Sequence, residues 1–439
     1  MKTVTIEPAF FQRNRYKLSL SMKSRSIAIL HSNDEMNRTT DQYFPYRQDS
    51  DLYYLCGINQ EKTTLLITPD YPDESLREIL IIRRSNARLE TWEGHKLTCE
   101  EAVLISGIQM VKYQDEFDSC VAPLMMYAEN VYLDLPEYPK FIPEIPCRNL
   151  RMANELMKKF PAHHYERLAP VMRELRVIKT EEEIELIRQA CHITRNAFLH
   201  VLKTLKPGKM EYEVEAVIIH DFIQQGARGH AYQPIVASGK NACILHYADN
   251  NGPCSDGDLL LMDFGAEYGN YAADCSRTIP VNGRFTSRQK ELYRSVLDVF
   301  KFACTLMKPG NSINKVHEEV CRRFGQEHVR LGLYTSEAFE KQDPKNPLYH
   351  QYYMHGTSHY MGLDVHDVGN KDAGFRPGMV LTCEPGIYLP GEQTGIRLEN
   401  NILITGEGYI DLMKDIPIEP EKIEELMSDE EQGTRDQQK

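Results

Sequence analysis

The sequence lacks the long apolar runs and the leader pattern that would place it in or across a membrane. No stretch of the 439 residues approaches the length of a membrane-spanning helix. The N-terminus, MKTVTIEPAFFQRNRYKLSL, has neither an apolar signal core nor a small-residue cleavage site. The eleven cysteines are odd in number and contain no CxxC pair, which favours reduced thiols over a disulfide framework. We therefore expect a cytoplasmic protein without a membrane partner.

Clusters of basic residues are scarce as well. No such cluster is longer than the pairs Arg83-Arg84 or Arg322-Arg323, and the formal net charge is -13. A surface that binds nucleic acid needs concentrated positive charge, so we exclude a nucleic-acid partner. The length predicts two or three domains with ordinary globular cores, and a carboxylate-rich metal site would account for part of the negative charge.

The first part of the chain has the pattern of an α/β domain, which we place at residues 1–165. Short β-rich runs alternate there with polar and proline-bearing segments. A helix-prone stretch, residues 166–179, leads into the second part. The predicted strands are SIAILHS at 26–32, TTLLIT at 63–68, EILIIRR at 78–84 and NVYLDL at 130–135.

The second part, residues 166–439, repeats itself. Each half begins with a capping box and a helical pattern that ends at Lys-Pro-Gly, followed by a second helical pattern, a histidine-bearing loop and a hairpin pattern. This predicts an α+β domain with an internal pseudo-two-fold repeat and a site between its halves. Residues from about 430 to 439 indicate a frayed polar tail. The boxes are Thr180 with Glu183 and Thr286 with Gln289; the tripeptides are residues 206–208 and 308–310.

Each hairpin pattern carries two acidic residues. In DLLLMDFGAEYGNYAADCSRTIPV, a turn centred on YGN would place Asp263 directly opposite Asp274, with Cβ atoms about 5 Å apart. In MVLTCEPGIYLPGEQTGIRLENNILIT, a turn at LPG allows Glu384 to lie opposite Glu399. Carboxylates that face each other at such a distance need a shared proton or a cation.

Two such pairs in equivalent repeats favour a metal site. One pair alone would fit a solvent-facing acidic pair equally well. Four inward carboxylates suit two divalent ions roughly 3.5 to 4 Å apart, as in dinuclear hydrolases. An oxygen-rich ligand set is typical of manganese or a similar ion rather than of thiolate-bound zinc, so we expect Mn(II) as the cofactor.

A nitrogen ligand is expected in HGTSHYMGLDVHDVG, which contains His355, His359 and His366. The first two have the spacing of a helical zinc pair, but Gly356 stands where HExxH has glutamate, and the glycines of the segment disfavour a helix. A single histidine would more often have a structural role. Three histidines beside four paired carboxylates favour a functional one.

Together these residues resemble a known family. Asp263, Asp274, His359, Glu384 and Glu399, in this order and context, resemble the five metal ligands of the pita-bread metallopeptidases. The segments HGTSHYMGLDVHDVG, CEPGIY and GIRLEN are similar to the proline-specific branch, the Xaa-Pro aminopeptidases (aminopeptidase P) and prolidases. FPYRQDSDLYYLCG and RELRVIKTEEEIELIRQA also resemble that branch, so the likeness covers nearly the whole chain. It implies a pita-bread catalytic domain behind an α/β N-terminal domain.

The resemblance also implies the metal ligands and their division of labour. Asp274 and Glu399 would bridge two divalent ions. Asp263 would chelate one of these ions, and His359 with Glu384 would complete the other. A hydroxide that bridges the metals would then attack the carbonyl group before proline.

Further residues would act on the substrate. Glu384 would take part in proton transfer, and His366 would polarise the substrate carbonyl and the developing oxyanion. His246 and His355 would flank the substrate and help to move a proton to the prolyl nitrogen. A structural role for His246 would be favoured without the resemblance.

Three more residues are candidates close to the metals. Arg397 precedes Glu399 by two positions on the same strand face, so it can steady that carboxylate, whereas a surface salt bridge is the alternative. An apolar pocket would select the prolyl ring, whose nitrogen carries no N–H. Tyr360 and Tyr388 are candidates to line it, although either would equally fit a core aromatic.

The N-terminal domain offers two substrate candidates. Trp92, the only tryptophan, lies in LETWEGHKL. In similar enzymes a tryptophan so placed reaches a neighbouring subunit's site, which implies a homodimer or homotetramer; a structural aromatic is nearly as plausible. Asp51 in RQDSD is a candidate to hold the amino end of the substrate.

The sequence therefore predicts a metallo-aminopeptidase that removes the first residue from peptides with proline in second position. The alternatives are a prolidase that acts on Xaa-Pro dipeptides and a pita-bread binding module without peptidase activity. Loss of several ligands would mark the binding module, and all five are present.

Overall fold

The computed structural model of the protein describes residues 4–138 and 144–436. The chain forms two compact units, Thr5–Leu175 and a second that begins at Arg176 and includes Val4. The domain boundary between residues 165 and 166 stays a prediction. Within the described residues, no helix combines the length and the apolar content needed to cross a membrane.

The N-terminal unit is built on a six-stranded mixed sheet. Its strands are β1 Ser26–His31, β4 Thr64–Ile67, β5 Glu78–Ile82, β6 Met110–Tyr113, β7 Asn130–Leu133 and β8 His164–Arg167, with a small hairpin of β2 Asn37–Thr39 and β3 Gln42–Tyr43. The strand order is β6-β5-β4-β1-β7-β8. The four predicted strands are confirmed. The two that the sequence missed, β6 and β8, form the edges of the sheet and are only partly buried, so they lack an apolar run.

Helices complete this unit, and the central strands of its sheet are buried on both faces. Ile27 and Ile29 of β1 pack with Leu124 of one helix and Leu156 of another in an apolar core. This arrangement confirms the predicted α/β architecture. The helices are α1 Pro8–Ser21, α2 Ser50–Cys56, α3 Ala87–Glu93, α4 Cys99–Ser106, α5 Phe117–Tyr127, α6 Arg148–Lys159 and α7 Ala169–Arg176.

The helices of the C-terminal unit follow the predicted repeat. Both capping boxes are present, and the helices that they open end two residues before the Lys-Pro-Gly tripeptides. The polar tail from about residue 430 stays a prediction; the last helix extends to Asp436, and residues 437–439 lie outside the described part. The helices are α8 Glu181–Thr204, α9 Glu211–Gln224, α10 Ser287–Leu306, α11 Ile313–Arg330, α12 Ser336–Glu340 and α13 Pro420–Asp436.

The strands of this unit form two similar sets, one in each repeat. One set has the three-stranded sheets β10-β11-β14 and β13-β12-β9, and the other has the three-stranded sheet β15-β18-β19 and the hairpin β16-β17. The halves meet where Glu399 N–H donates to the Ser276 carbonyl at 3.1 Å. The strands are β9 Gly229–His230, β10 Ile235–Ser238, β11 Leu259–Phe264, β12 Ala266–Tyr268, β13 Tyr271–Ala272, β14 Cys275–Pro280, β15 Val380–Cys383, β16 Gly386–Leu389, β17 Thr394–Arg397, β18 Asn400–Ile404 and β19 Tyr409–Asp411.

Candidate metal centre

The first acidic hairpin has a register two positions away from the predicted one. Asp263 pairs with Ser276, not with Asp274, so the predicted pairing was wrong. The reason is the turn. Tyr268 pairs with Tyr271, which leaves a two-residue turn at Gly269 and Asn270, with φ of 58° and 67°. Two residues in the left-handed region make the turn type that suits a tight hairpin, whereas the prediction assumed three turn residues.

The second acidic hairpin has the predicted register. Cys383 pairs with Asn400 and Gly386 with Arg397, on either side of the two glutamates. Glu384 and Glu399 themselves lie in the breaks between β15 and β16 and between β17 and β18. Each glutamate therefore lies between two short β-ladders. The paired residues on either side fix the backbone at the glutamate, although the glutamate itself is not paired.

The four carboxylates and one imidazole converge. Ligand atoms of Asp274, His359 and Glu399 all lie within 4.8 Å of one another. The His359 Nε2 atom is 3.3 Å from Asp274 and 3.7 Å from Glu384. Its Nδ1–H donates to the Tyr360 carbonyl at 3.0 Å, so the Nε2 lone pair faces the acidic group.

Burial and mutual repulsion raise the pKa of these carboxyl groups. Burial and the Asp274 charge raise the pKa of Asp263 to about 6, although Arg397 opposes the shift. Burial, then repulsion from Asp274, raises the pKa of Glu384 to about 7, with His359 opposing, and burial also raises the pKa of Glu399 well above its ordinary value. Burial alone would lower the pKa of His359, but Asp274 and Glu384 raise it to about 9. A cluster of buried carboxylates that repel one another is stabilised by added positive charge.

The hydroxyl of Tyr232 lies between two of the carboxylates and shows whether the site would fit a metal ion. Its hydroxyl oxygen lies 2.6 Å from Asp263 Oδ1 and 2.5 Å from Asp274 Oδ1. The hydroxyl has one proton to donate and faces two carboxylates, so one short contact is left without a hydrogen unless a proton or a cation is shared. Four carboxylates, an outward imidazole lone pair and this shortage of positive charge fit divalent ions of borderline to hard character.

Arg397 reaches the acidic group from behind. Its Nη2 donates to Asp263 at 2.7 Å, its Nε to Ser276 Oγ at 2.8 Å and its Nη1 to the Tyr388 hydroxyl at 2.9 Å. Ser276 Oγ in turn donates to Glu399 at 2.6 Å. The prediction linked Arg397 with Glu399, but its direct carboxylate partner is Asp263, and it reaches Glu399 through Ser276.

Of the other three histidines predicted to act in the site, His355 and His366 lie beside this group, and His246 is exposed. His355 Nδ1–H donates to the Gly356 carbonyl at 2.8 Å, and its Nε2 accepts from the Tyr388 hydroxyl at 2.9 Å. Burial, then the Arg397 charge, lowers the pKa of His355 to about 3, and the His246 charge contributes. His366 is exposed, and its ring centre lies 4.4 Å from that of His359.

Sequence comparisons place this centre in a family. Residues 185–406 match metallopeptidase family M24, and residues 11–132 match the aminopeptidase P N-terminal domain. The Xaa-Pro aminopeptidases of Haemophilus influenzae and Escherichia coli are each 36% identical over 433 residues, or 95% of this chain and 97% of theirs. The chain belongs to the aminopeptidase P group of family M24. The resemblance inferred from the sequence is confirmed.

Solved structures of the aminopeptidase P group agree with this assignment. Aminopeptidase P from E. coli with the inhibitor Pro-Leu, and its zinc-substituted form with product, each have a TM-score of 0.87 and 34% identity, covering 97% of this chain and 99% of theirs. The predicted fold class, an α/β N-terminal domain with a pita-bread domain, is confirmed. The enzyme class, a metallo-aminopeptidase, is confirmed as well, and family M24 implies divalent metal ions.

Three more predicted residues, Tyr360, Trp92 and Asp51, are candidates to contact substrate. Tyr360 is buried, and its hydroxyl donates to the Asn370 carbonyl at 3.0 Å, as a core aromatic would. Trp92 lies on α3 and is 82% exposed. Asp51 lies in the first turn of α2, where Asp49 caps the helix. Their roles toward substrate stay predictions.

Sequence reasoning missed several residues of an aminopeptidase P centre. Tyr232 and Ser276 bind the carboxylates directly, and the Asn401 side chain bonds both the N–H and the carbonyl of Asp274, at 3.1 and 2.7 Å. The Thr382 hydroxyl accepts from His359 N–H at 3.1 Å. Ser276, Thr382 and Asn401 lie within two residues of an acidic ligand, which is a usable signal. Tyr232 lies 31 positions from Asp263 and has none.

Proposed function

We propose that the protein is a divalent-metal-dependent Xaa-Pro aminopeptidase, which releases the first residue from peptides with proline in second position. One observation carries the proposal: ligand atoms of Asp274, His359 and Glu399 lie within 4.8 Å of one another in an M24 domain. The Tyr232 hydroxyl links Asp263 to this cluster through Asp274, and Glu384 lies 3.7 Å from His359. Curated relatives of nearly equal length, which bear that activity as their name, support it.

The proposed metal ligands are those that the family resemblance implies, and the closeness of these side chains supports them. We assign Asp274 and Glu399 as shared ligands of two ions, Asp263 as a ligand of one, and His359 with Glu384 as ligands of the other. Bound divalent ions supply a Lewis acid that polarises a peptide carbonyl and acidifies water. We retain Mn(II) as the proposed ion, because the donor set is rich in oxygen and contains no thiolate.

Other side chains would bind and orient the substrate and exchange protons with it. We assign Glu384, whose pKa burial raises to about 7, to accept and return a proton. We assign His366, which is exposed beside His359, to donate to a substrate carbonyl. His355 is held neutral between Gly356 and Tyr388, and we assign it, with His246, to the substrate side of the site.

Two peptides test the proposal. Metal-loaded protein is incubated with a Xaa-Pro-Yaa tripeptide and a Xaa-Pro dipeptide, and the released amino acid is measured. Cleavage of the tripeptide supports the aminopeptidase. Cleavage of the dipeptide alone supports a prolidase, and cleavage of neither supports a binding module without peptidase activity.

We further propose a homodimer or homotetramer in a reducing cytoplasm. The large apolar surface of Trp92 is 82% exposed, which is typical of a residue that contacts a partner. Light scattering of wild type and Trp92→Ala measures the mass. A monomeric wild type would contradict the assembly, and an assembly unchanged in Trp92→Ala would contradict a role for this residue in holding it.

A further inference from the structure

Glu211 is a fully buried acid that the proposed reaction does not use. It is the first residue of α9, with no exposed surface. Its Oε1 accepts from Ser238 N–H at 2.7 Å and from Asn241 Nδ2 at 2.9 Å. Its Oε2 accepts from the Tyr247 hydroxyl at 2.8 Å and from Gly252 N–H at 2.6 Å. Four donors therefore satisfy one carboxylate away from water, which is the condition for burying it.

These donors span one segment, residues 238–252, which carries His246. Ser238 and Gly252 are its two ends, and Tyr247 directly follows the histidine. His246 itself is exposed, so its own side chain does not fix its position. Gly252 passes so close that a Cβ there would lie 3.0 Å from Glu211 Oε1, which explains the glycine.

The same segment packs against the metal centre. Ala242 and Tyr247 share an apolar cluster with Tyr388, whose hydroxyl bonds His355. A Cβ on Gly395, in the strand of Arg397, would lie 2.1 Å from the Ala242 carbonyl, so backbone meets backbone there. Movement of the segment would therefore move His246 relative to the substrate side of the site.

We propose that Glu211 is a positioning residue, whose buried carboxylate clamps residues 238–252 and so places the His246 imidazole for the reaction. The inference rests on the proposed function, because His246 is assigned there. It names a residue that acts through another and does not itself touch substrate.

Glu211→Gln tests the clamp with almost no change in shape. Each carboxylate oxygen accepts from one backbone N–H, so either orientation of the amide turns its NH₂ toward a backbone N–H and leaves that donor unsatisfied. Glu215→Gln is the matched control. It lies one turn later on α9 and, within the described residues, accepts one hydrogen bond, from Asn250 Nδ2 at 2.8 Å, which an amide oxygen retains.

The readouts are kcat and KM on a Xaa-Pro-Yaa peptide, with and without His246→Asn, and amide hydrogen exchange over residues 238–252 of the full metal-loaded chain. We expect Glu211→Gln to lower kcat/KM roughly tenfold or more, since a misplacement of about 1 Å can cost on the order of a hundredfold. The loss should vanish in the His246→Asn background, and exchange in the segment should rise. Glu215→Gln should change neither.

Several results would overturn the proposal. An equal loss in the His246→Asn background would mean that Glu211 does not act through His246, and unchanged exchange would mean that it is no clamp. If Glu211→Gln does not fold, Tyr247→Phe removes one of the four bonds and should have a smaller effect of the same kind; no effect would count against the clamp. A wild type that cleaves neither peptide refutes the proposed function and the reaction role of Glu211, while exchange still decides whether it clamps the segment.

Discussion

The guanidinium of Arg397 lies 2.7 Å from the carboxylate of Asp263, and their side chains are 5% and 15% exposed. The arginine donates two further hydrogen bonds, to Ser276 and Tyr388, so each of its three side-chain nitrogens has a partner and the guanidinium is held in one orientation. A cation placed behind a proposed metal ligand keeps that ligand ionised and aimed, which a strand register alone cannot do.

Arg397→Lys should weaken metal binding although it keeps the charge. A lysine cannot reproduce the three directed bonds, so Asp263 loses its fixed orientation. We expect Mn(II) affinity or kcat/KM to fall by about 10- to 100-fold, measured by calorimetry and peptide assay. Arg288→Lys, in an exposed pair with Glu392, is the control and should change neither quantity. Unchanged Mn(II) affinity and kcat/KM in Arg397→Lys would show that charge alone suffices.

Tyr232→Phe should have a comparable effect by a different route. It removes the hydroxyl that faces Asp263 and Asp274 and leaves the ring in place. We expect a loss of roughly tenfold in metal affinity or more, measured in the same way. Tyr334→Phe loses a hydroxyl bond to the Gly325 carbonyl instead and serves as the control. Equal affinities for Tyr232→Phe and wild type would argue against a ligand-holding role.

Asp274→Ala should abolish the binding of a second ion. Asp274 is the carboxylate that both His359 and Tyr232 contact, so its removal opens the centre. Bound metal is counted after dialysis, with Asp298→Ala on the exposed face of α10 as the control. Two equivalents of manganese retained by Asp274→Ala would refute the proposed bridging role.

His31 should make the protein less stable in acid. Burial, then the Arg148 charge, lowers its pKa from 6.5 to about 3. The unfolded chain takes up a proton below about pH 6.5 and the folded chain does not, so stability is lost as the pH falls from 6.5 toward 3. The loss is roughly 1.4 kcal/mol for each pH unit in that window.

His31→Gln should remove this slope. Urea unfolding of both proteins between pH 7 and pH 4.5 gives the difference in the free energy of unfolding, which should shift in favour of the variant as the pH falls. His164→Gln replaces an exposed histidine of the same unit and is the control. A constant difference between His31→Gln and wild type would contradict the burial of a neutral imidazole.

Much of the fold could be predicted where local chemistry decides it. A Thr side chain three residues before a Glu or Gln starts a helix by satisfying N–H groups within one turn, and both such starts are where the sequence put them. The buried strands are short runs of β-branched and apolar residues, which is the pattern typical of a buried strand. The edge strands were missed because exposure leaves their composition free.

The hairpin registers show where local reasoning ends. Glu384 and Glu399 follow the predicted register, whereas Asp263 lies opposite Ser276 because Asn270 accepts a left-handed conformation and shortens the turn. One residue in a turn changes the partner of every residue beyond it. Asp263 and Asp274 nevertheless meet at one hydroxyl, that of Tyr232.

The sequence by itself determined the helices of the repeat, the buried strands of the N-terminal unit, the repeat and the identity of the acidic and histidine residues, because caps, periodicity and residue type act over a few neighbours. Tertiary structure alone decided which side chains meet. Arg397 meets Asp263 across 134 positions, Ser276 meets Glu399 across 123, and Glu211 reaches the segment of His246 from another element. Such contacts depend on how strands and helices pack, and pairing over these separations leaves no local pattern to read.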